Sequence, residues 1–116
     1  MIGFDLLEVD KIEDEDKLLK RIAQDCEIEY IQKFQRDKKQ RVASLWAVKE
    51  AVFKALQADK DEFSFKEIVL HHKDNGAPYV ELLKNAKKCF DKRGAKQIFV
   101  SISHQKNVVG AVVEIL

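Results

Sequence analysis

Charged residues that interrupt apolar patterns are the places where this chain could do chemistry. In "WAVKEAVFKAL", residues 46–56, a projection at about 100° per residue puts Val42, Leu45, Trp46, Phe53 and Leu56 on one stripe with Lys49 in its middle. Glu50 stands beside it and Lys54 follows one turn later. Glu50 and Lys54 have the favourable i,i+4 order, worth about 0.2–0.5 kcal/mol as a surface pair. That pair does not account for Lys49, whose stem either snorkels to water or carries its amine to an anion. Asp5 interrupts "MIGFDLLEV" and reads as an edge-strand acid facing water or as a ligand. His104 ends the face formed by Ile98, Val100 and Ile102, either as a structural imidazole or as a binding group. The adjacent His71 and His72 face opposite ways on a strand and read as structural or surface residues.

Asp5 and Glu50, with lysines, an imidazole and a glycine turn, make poor soft-metal chemistry but good phosphate chemistry. Mg²⁺ takes one or two carboxylates and completes its shell with water and substrate phosphate oxygens. Lys49, Lys54, His104 and backbone N–H groups near Gly76 then hold the remaining phosphate charge. Neither a Walker-type nor a dinucleotide glycine motif is present, so phosphate is not read in those ways.

The elements that must position these residues follow from periodicity. Alternation of Ile2, Phe4 and Leu6 predicts a first strand, with Asp5 on its other face. Leu18, Leu19, Ile22 and Ala23 recur at helical spacing behind the acids Glu13–Asp16, which predicts a first helix. Residues 27–35 predict a second helix and 38–58 the longest one. Residues 65–72 alternate as a strand, "KDNGAP" is a turn, and "YVELL" resumes extended or begins a helix. A helix over 81–94 ends at Gly94, and 96–104 and 107–116 predict two further strands. The order predicts an α+β fold, one small domain over 1–116 with helices on one face of a largely antiparallel sheet.

Composition bounds the possibilities. A chain of 116 residues buries a modest core, so a partner subunit would help it. Apolar residues at 46% and charged residues at 35% exclude a disordered chain, and a net charge of +1 gives no global footprint for nucleic acid. Cys26 and Cys89 lack metal or disulfide spacing and fit a reduced cytosolic compartment. The N-terminus has no basic leader, and no apolar run approaches the roughly 18 residues of a membrane span. A cytoplasmic protein is expected.

Four segments, "IGFDLLEVDKI" at 2–12, "WAVKEAVFKAL" at 46–56, "DNGAPYV" at 74–80 and "VSISH" at 100–104, together resemble the holo-acyl-carrier-protein synthases, the short class of 4′-phosphopantetheinyl transferases. The resemblance spans nearly the whole chain. It implies the fold of that family and an Mg²⁺-dependent transfer of 4′-phosphopantetheine from coenzyme A to a serine of an apo acyl carrier protein, in fatty acid biosynthesis. Asp5 and Glu50 become the metal ligands and catalytic residues, with Glu50, or a water held by the metal and an acid, as the base. Lys49, Lys54 and His104 become coenzyme A phosphate contacts, and Asn75, Gly76 and Pro78 the turn over its nucleotide end. A homotrimer with coenzyme A between subunits is implied. The chain departs from the pattern at Leu45, where many relatives carry arginine and Arg41 stands one turn earlier, at "QAD" 57–59 in place of a glycine turn, and at Ala77 in place of lysine. The acidic run 13–16 replaces the start of a basic docking helix, leaving Lys11, Lys17, Lys20 and Arg21 around it.

A second reading is a noncatalytic nucleotide or RNA binding module using Lys84, Lys87, Lys88, Lys92, Arg93 and Lys96. Such a run is more often a solvated helix face, and no aromatic platform accompanies it.

Overall fold

The computed structural model describes all 116 residues, Met1–Leu116. Its elements run β1 (Ile2–Glu8), α1 (Glu15–Ile22), α2 (Asp25–Gln32), α3 (Lys38–Leu56), β2 (Ile68–His72), β3 (Pro78–Leu82), α4 (Lys84–Lys92), β4 (Ile98–Gln105) and β5 (Val108–Ile115). The fold class is α+β, and every strand pair is antiparallel. The strands form two sheets rather than one, β1-β5-β4 and the hairpin β2-β3.

Local chemistry sets the boundaries. Ser64 and Glu67 close a capping box around a 3₁₀ turn at Phe65–Glu67, so the strand expected from residue 65 begins at Ile68. Residues 81 and 82 stay in β3, and α4 therefore starts at Lys84. The long helix α3 stops at Leu56, because Gln57 adopts a left-handed conformation with φ 51°.

α3 is the centre of the molecule rather than an amphipathic surface helix. Val42, Leu45, Val48, Val52 and Leu56 are buried, and so are the small residues Ala43, Ala47, Ala51 and Ala55 on other faces. One side lies on β1 and β5. There Gly3 is required: a Cβ at that position would overlap the carbonyl oxygen of Ala51 and stand 2.6 Å from the amide nitrogen of Ala55. The close approach brings the strand bearing Asp5 onto the helix bearing Glu50.

Register fixes the two sides of the three-stranded sheet. Gly3 pairs with Val113, Asp5 with Ala111 and Leu7 with Val109, while Val100, Ile102 and His104 pair with the same three β5 residues. Val109, Ala111 and Val113 are buried, so this whole set faces α3. The alternate face carries Ile2, Phe4, Leu6, Phe99, Val108 and Val112, all exposed. The apolar face that the alternation of β1 suggested is thus the outer one, and Asp5 on its edge strand points toward the helix instead of open water. No helix is long and apolar enough to cross a membrane.

Candidate functional site

The predicted residues fall into three groups. In the first, strand β1 presents Asp5 to the last turns of α3. Lys54 Nζ donates to Asp5 Oδ1 at 2.9 Å and to the Phe4 carbonyl at 3.1 Å. Lys60, just beyond the helix, donates to both Glu50 oxygens at 2.7 Å. The i,i+4 pair expected between Glu50 and Lys54 is therefore exchanged for two pairs to other elements. The carboxylates are sheltered, their side chains 14% and 15% exposed, whereas both lysines are more than half exposed. Lys60 was not marked by any periodic pattern, since it lies past the end of α3.

Each of these carboxylates draws a cation onto itself, and their donors are hard oxygens. Such a set fits a magnesium ion that takes one or two carboxylates and leaves other positions to water and phosphate. Asp5 and Glu50 are the residues that would hold it. No group of three or more His, Cys, Asp or Glu side chains that could hold a metal ion by itself is present.

The second group holds Lys49 alone, and here the sequence expectation is corrected. Its side chain is wholly buried, and its amine donates to Glu27 Oε1 at 2.9 Å and to the carbonyls of Ile22, Phe65 and Ile68 at 2.7, 2.9 and 2.6 Å. Glu27 is equally committed, accepting from Gln24 N at 2.8 Å and Leu70 N at 2.9 Å. Burial pushes the Lys49 pKa down, and the Glu27 charge opposes that shift. Its three N–H donors have no capacity left for coenzyme A phosphate, so Lys49 braces α3 against α2 and β2. Glu27 escaped notice because it sits in the first turn of a helix, where an acid looks like a dipole partner.

The third group lines a cavity of about 290 Å³ between α2, α3, the β2–β3 hairpin and β4. Gly76, Pro78 and His104 lie in its wall, with Arg41, Ser44 and His72. Gly76 takes φ +89° in the hairpin turn, and Asn75 Oδ1 accepts from Ala77 N at 3.0 Å, an Asx turn that orders the tip. Of the two alternatives the sequence left for it, structural or surface, His72 takes the structural one, stacked on Tyr30. It shares the inward face of β2 with Ile68 and Leu70, while His71 turns out to bond Glu81 at 2.8 Å. Asp5, Glu50 and Lys54 are absent from this cavity lining.

The cations of the second reading, Lys84 to Lys96, are exposed on and after α4, and Lys87 is engaged by Asp91 at 2.6 Å.

Comparison with known proteins supplies the context for these groups. Residues 1–113 match the model of the 4′-phosphopantetheinyl transferase superfamily. The holo-(acyl-carrier-protein) synthase of Caldicellulosiruptor bescii is 43% identical over 114 residues, 96% of this chain and 93% of the relative. Among solved structures, the Helicobacter pylori holo-(acyl-carrier-protein) synthase in complex with coenzyme A matches with a TM-score of 0.85 at 31% identity, covering 100% of both chains. The Bacillus anthracis enzyme in complex with CoA (3′,5′-ADP) matches with a TM-score of 0.82 at 28% identity, over 98% of this chain and 93% of that one.

Proposed function

Because the chain belongs to the 4′-phosphopantetheinyl transferase superfamily, we propose that it transfers 4′-phosphopantetheine from coenzyme A to a serine of an apo acyl carrier protein in support of fatty acid biosynthesis. The products are the holo carrier and adenosine 3′,5′-bisphosphate. The observation that carries this reading is that Asp5 and Glu50 are each sheltered and lysine-bound, in a chain matched over nearly its full length to a coenzyme A-binding relative.

On this reading the chain's residues have distinct roles in that reaction. The serine oxygen forms a bond to the β-phosphorus while the bond from that phosphorus to the bridging oxygen breaks. Such a transfer depends mainly on positioning and on neutralising charge. Asp5 and Glu50 would hold magnesium, which when bound would neutralise charge at the pyrophosphate. Lys54, anchored on Asp5 and the Phe4 carbonyl, adds a second positive charge beside it. Lys60 is the exposed counter-ion of Glu50, which it would have to release for Glu50 to act. Glu50 takes the serine proton, directly or through one water.

The molecule works as a cytoplasmic homotrimer. The exposed apolar face of β1, β5 and β4 supports association, since monomers rarely expose contiguous apolar surface of this kind. Separation of the carboxylates from the His104 cavity within one chain supports a substrate site shared between neighbours.

Incubation with apo carrier, coenzyme A and Mg²⁺ tests the activity. The carrier gains one phosphopantetheine mass, and chelation abolishes the gain; no gain with several carriers refutes the function. Glu50→Gln removes turnover while the thermal transition stays within a few degrees.

A further inference from the structure

The loop that carries Lys60 is folded back onto α3 and tied there. Gln57, in its left-handed conformation, ends the helix, and Ala58 N then donates to the Phe53 carbonyl at 3.1 Å, which reverses the chain. The loop also closes on itself, Glu62 N donating to the Asp59 carbonyl at 3.0 Å and Asp59 N to Glu62 Oε1 at 3.3 Å. Helix α4 holds it from outside: Arg93 Nη2 donates to the Gln57 carbonyl at 3.4 Å, and Cys89 Sγ donates to Glu62 Oε2 at 3.5 Å. Phe63 stacks on Phe53 with centroids 4.3 Å apart. Tied at this many points, the backbone delivers Lys60 to Glu50, ten residues earlier, in a way that a free surface lysine is not delivered.

The two lysines of the site are held differently. Lys54 has two acceptors on β1, Asp5 Oδ1 and the Phe4 carbonyl, whereas Lys60 donates only to Glu50, to both of its oxygens. The Lys60 ammonium otherwise lies over the rings of Phe53 and Phe65, 4.8 and 5.1 Å from their centroids, a support that remains when Glu50 is taken by another cation. Lys54 stands one turn from Glu50 on the same face of α3, so the two ion pairs act as one electrostatic unit. Two carboxylates and two ammonium groups sum to zero charge. A divalent cation approaching Asp5 and Glu50 therefore meets a neutralised site, and it must displace Lys60 while leaving that charge nearby to repel it. An anion arriving with the cation offsets the repulsion.

We propose that Lys60 competes with the divalent cation for Glu50 and thereby makes the binding of cation and of coenzyme A depend on each other. The inference rests on the transferase reading, in which Asp5 and Glu50 hold the cation and the substrate pyrophosphate lies beside it. Without substrate, ammonium and cation exclude each other at Glu50. With coenzyme A present, the negative charge of its pyrophosphate compensates the displaced ammonium, and the handicap that Lys60 places on the cation shrinks. Linkage makes this reciprocal: the factor by which coenzyme A tightens the cation is the factor by which the cation tightens coenzyme A. The site thus loads cation and substrate together, and Lys60 is the residue that sets the size of the coupling.

Mn²⁺ binding, read from the free-ion signal in electron paramagnetic resonance, tests this without catalysis. It is measured with no carrier present, without coenzyme A and with coenzyme A in excess, and corrected for the Mn²⁺ that coenzyme A holds by itself. The proteins compared are wild type, Lys60→Met, Lys60→Arg, Glu50→Gln and Lys33→Met, each first shown to be folded by its thermal transition; Lys33, exposed at the end of α2, controls for loss of a charge in general. Without coenzyme A, Lys60→Met is expected to bind Mn²⁺ roughly three- to tenfold more tightly than wild type, the scale of an exposed ion pair with aromatic support. With coenzyme A the difference falls to within about twofold. Lys60→Arg binds no more tightly than wild type, Lys33→Met stays within about twofold of it, and Glu50→Gln loses most of the affinity. An unchanged affinity in Lys60→Met, a gain of the same size with coenzyme A bound, an equal gain in Lys33→Met, or binding that survives Glu50→Gln overturns the proposal. If no carrier is ever modified, a gain in Lys60→Met that coenzyme A suppresses still sustains the competition while the transferase reading falls; carrier modification without that gain leaves the transferase and rejects the role of Lys60.

Discussion

Removing the Lys49 amine leaves the Glu27 carboxylate buried with a charge and no cation, and breaking one side of a buried pair typically costs about 3–5 kcal/mol. Lys49→Met is therefore expected to lower stability by that amount in chemical denaturation. Glu27→Gln combined with Lys49→Met should cost less than the sum of the single changes, because the second substitution removes the stranded charge. A residue that contacts substrate behaves otherwise. Kinetics at a temperature where Lys49→Met remains folded should give an unchanged KM for coenzyme A, and a tenfold rise would return Lys49 to the substrate site. The sequence exposed Lys49 as anomalous without revealing its destination. A charge within an apolar stripe has the same signature whether it meets a ligand or a residue from another element, and Glu27 lies 22 positions away.

At the scale of elements, the contact between β1 and α3 decides where Asp5 and Glu50 stand. Gly3→Ala places a methyl group against the Ala51 carbonyl and the Ala55 amide, and backbone atoms cannot rotate away as a side chain would. The expected cost is about 3 kcal/mol or more, with activity falling further as Asp5 moves from Lys54; a folded, fully active variant would show that the strand and helix can separate harmlessly. Gln57 presents the opposite case, a left-handed residue without a glycine's freedom. Gln57→Gly should raise stability by about 1 kcal/mol, measured by the shift of the denaturation midpoint at constant slope. The elements themselves were legible because their patterns are local. Ile98, Val100 and Ile102 alternating with Ser101 and Ser103 defined β4 and the side on which His104 lies. In β1 each face carries apolar residues and one acid, Asp5 on one and Glu8 on the other, so period alone could not tell the face against α3 from the outer one. The split into two sheets was hidden for a similar reason: hairpin signals identify neighbours in sequence, whereas β1 pairs with β5 from the far end of the chain.

The whole molecule leaves Phe4 54% exposed among Ile2, Leu6, Phe99, Val108 and Val112, on the sheet face opposite α3. An isolated protomer would keep this surface in water at a cost of about 25 cal/mol per Å². Its burial between copies turns an expense of the fold into a source of stability. Phe4→Glu alters an exposed position and spares the intrachain core, so each protomer should still fold. Light scattering is expected to give three times the 13.4 kDa chain mass for the wild type and a single chain mass for Phe4→Glu, with turnover lost alongside the assembly. A wild type that is monomeric and active removes the assembly from the mechanism. Mixing then asks whether neighbours complete one another's sites. Asp5→Asn protomers lack the carboxylate half, and His104→Ala protomers lack the cavity half. If each site takes one half from each of two adjoining subunits, random mixing of the two inactive variants gives about one site in four with both halves intact, as expected for a head-to-tail cyclic interface. Recovery of about a quarter of wild-type turnover after co-refolding supports the shared site, and no recovery in mixed trimers confines both halves to a single chain.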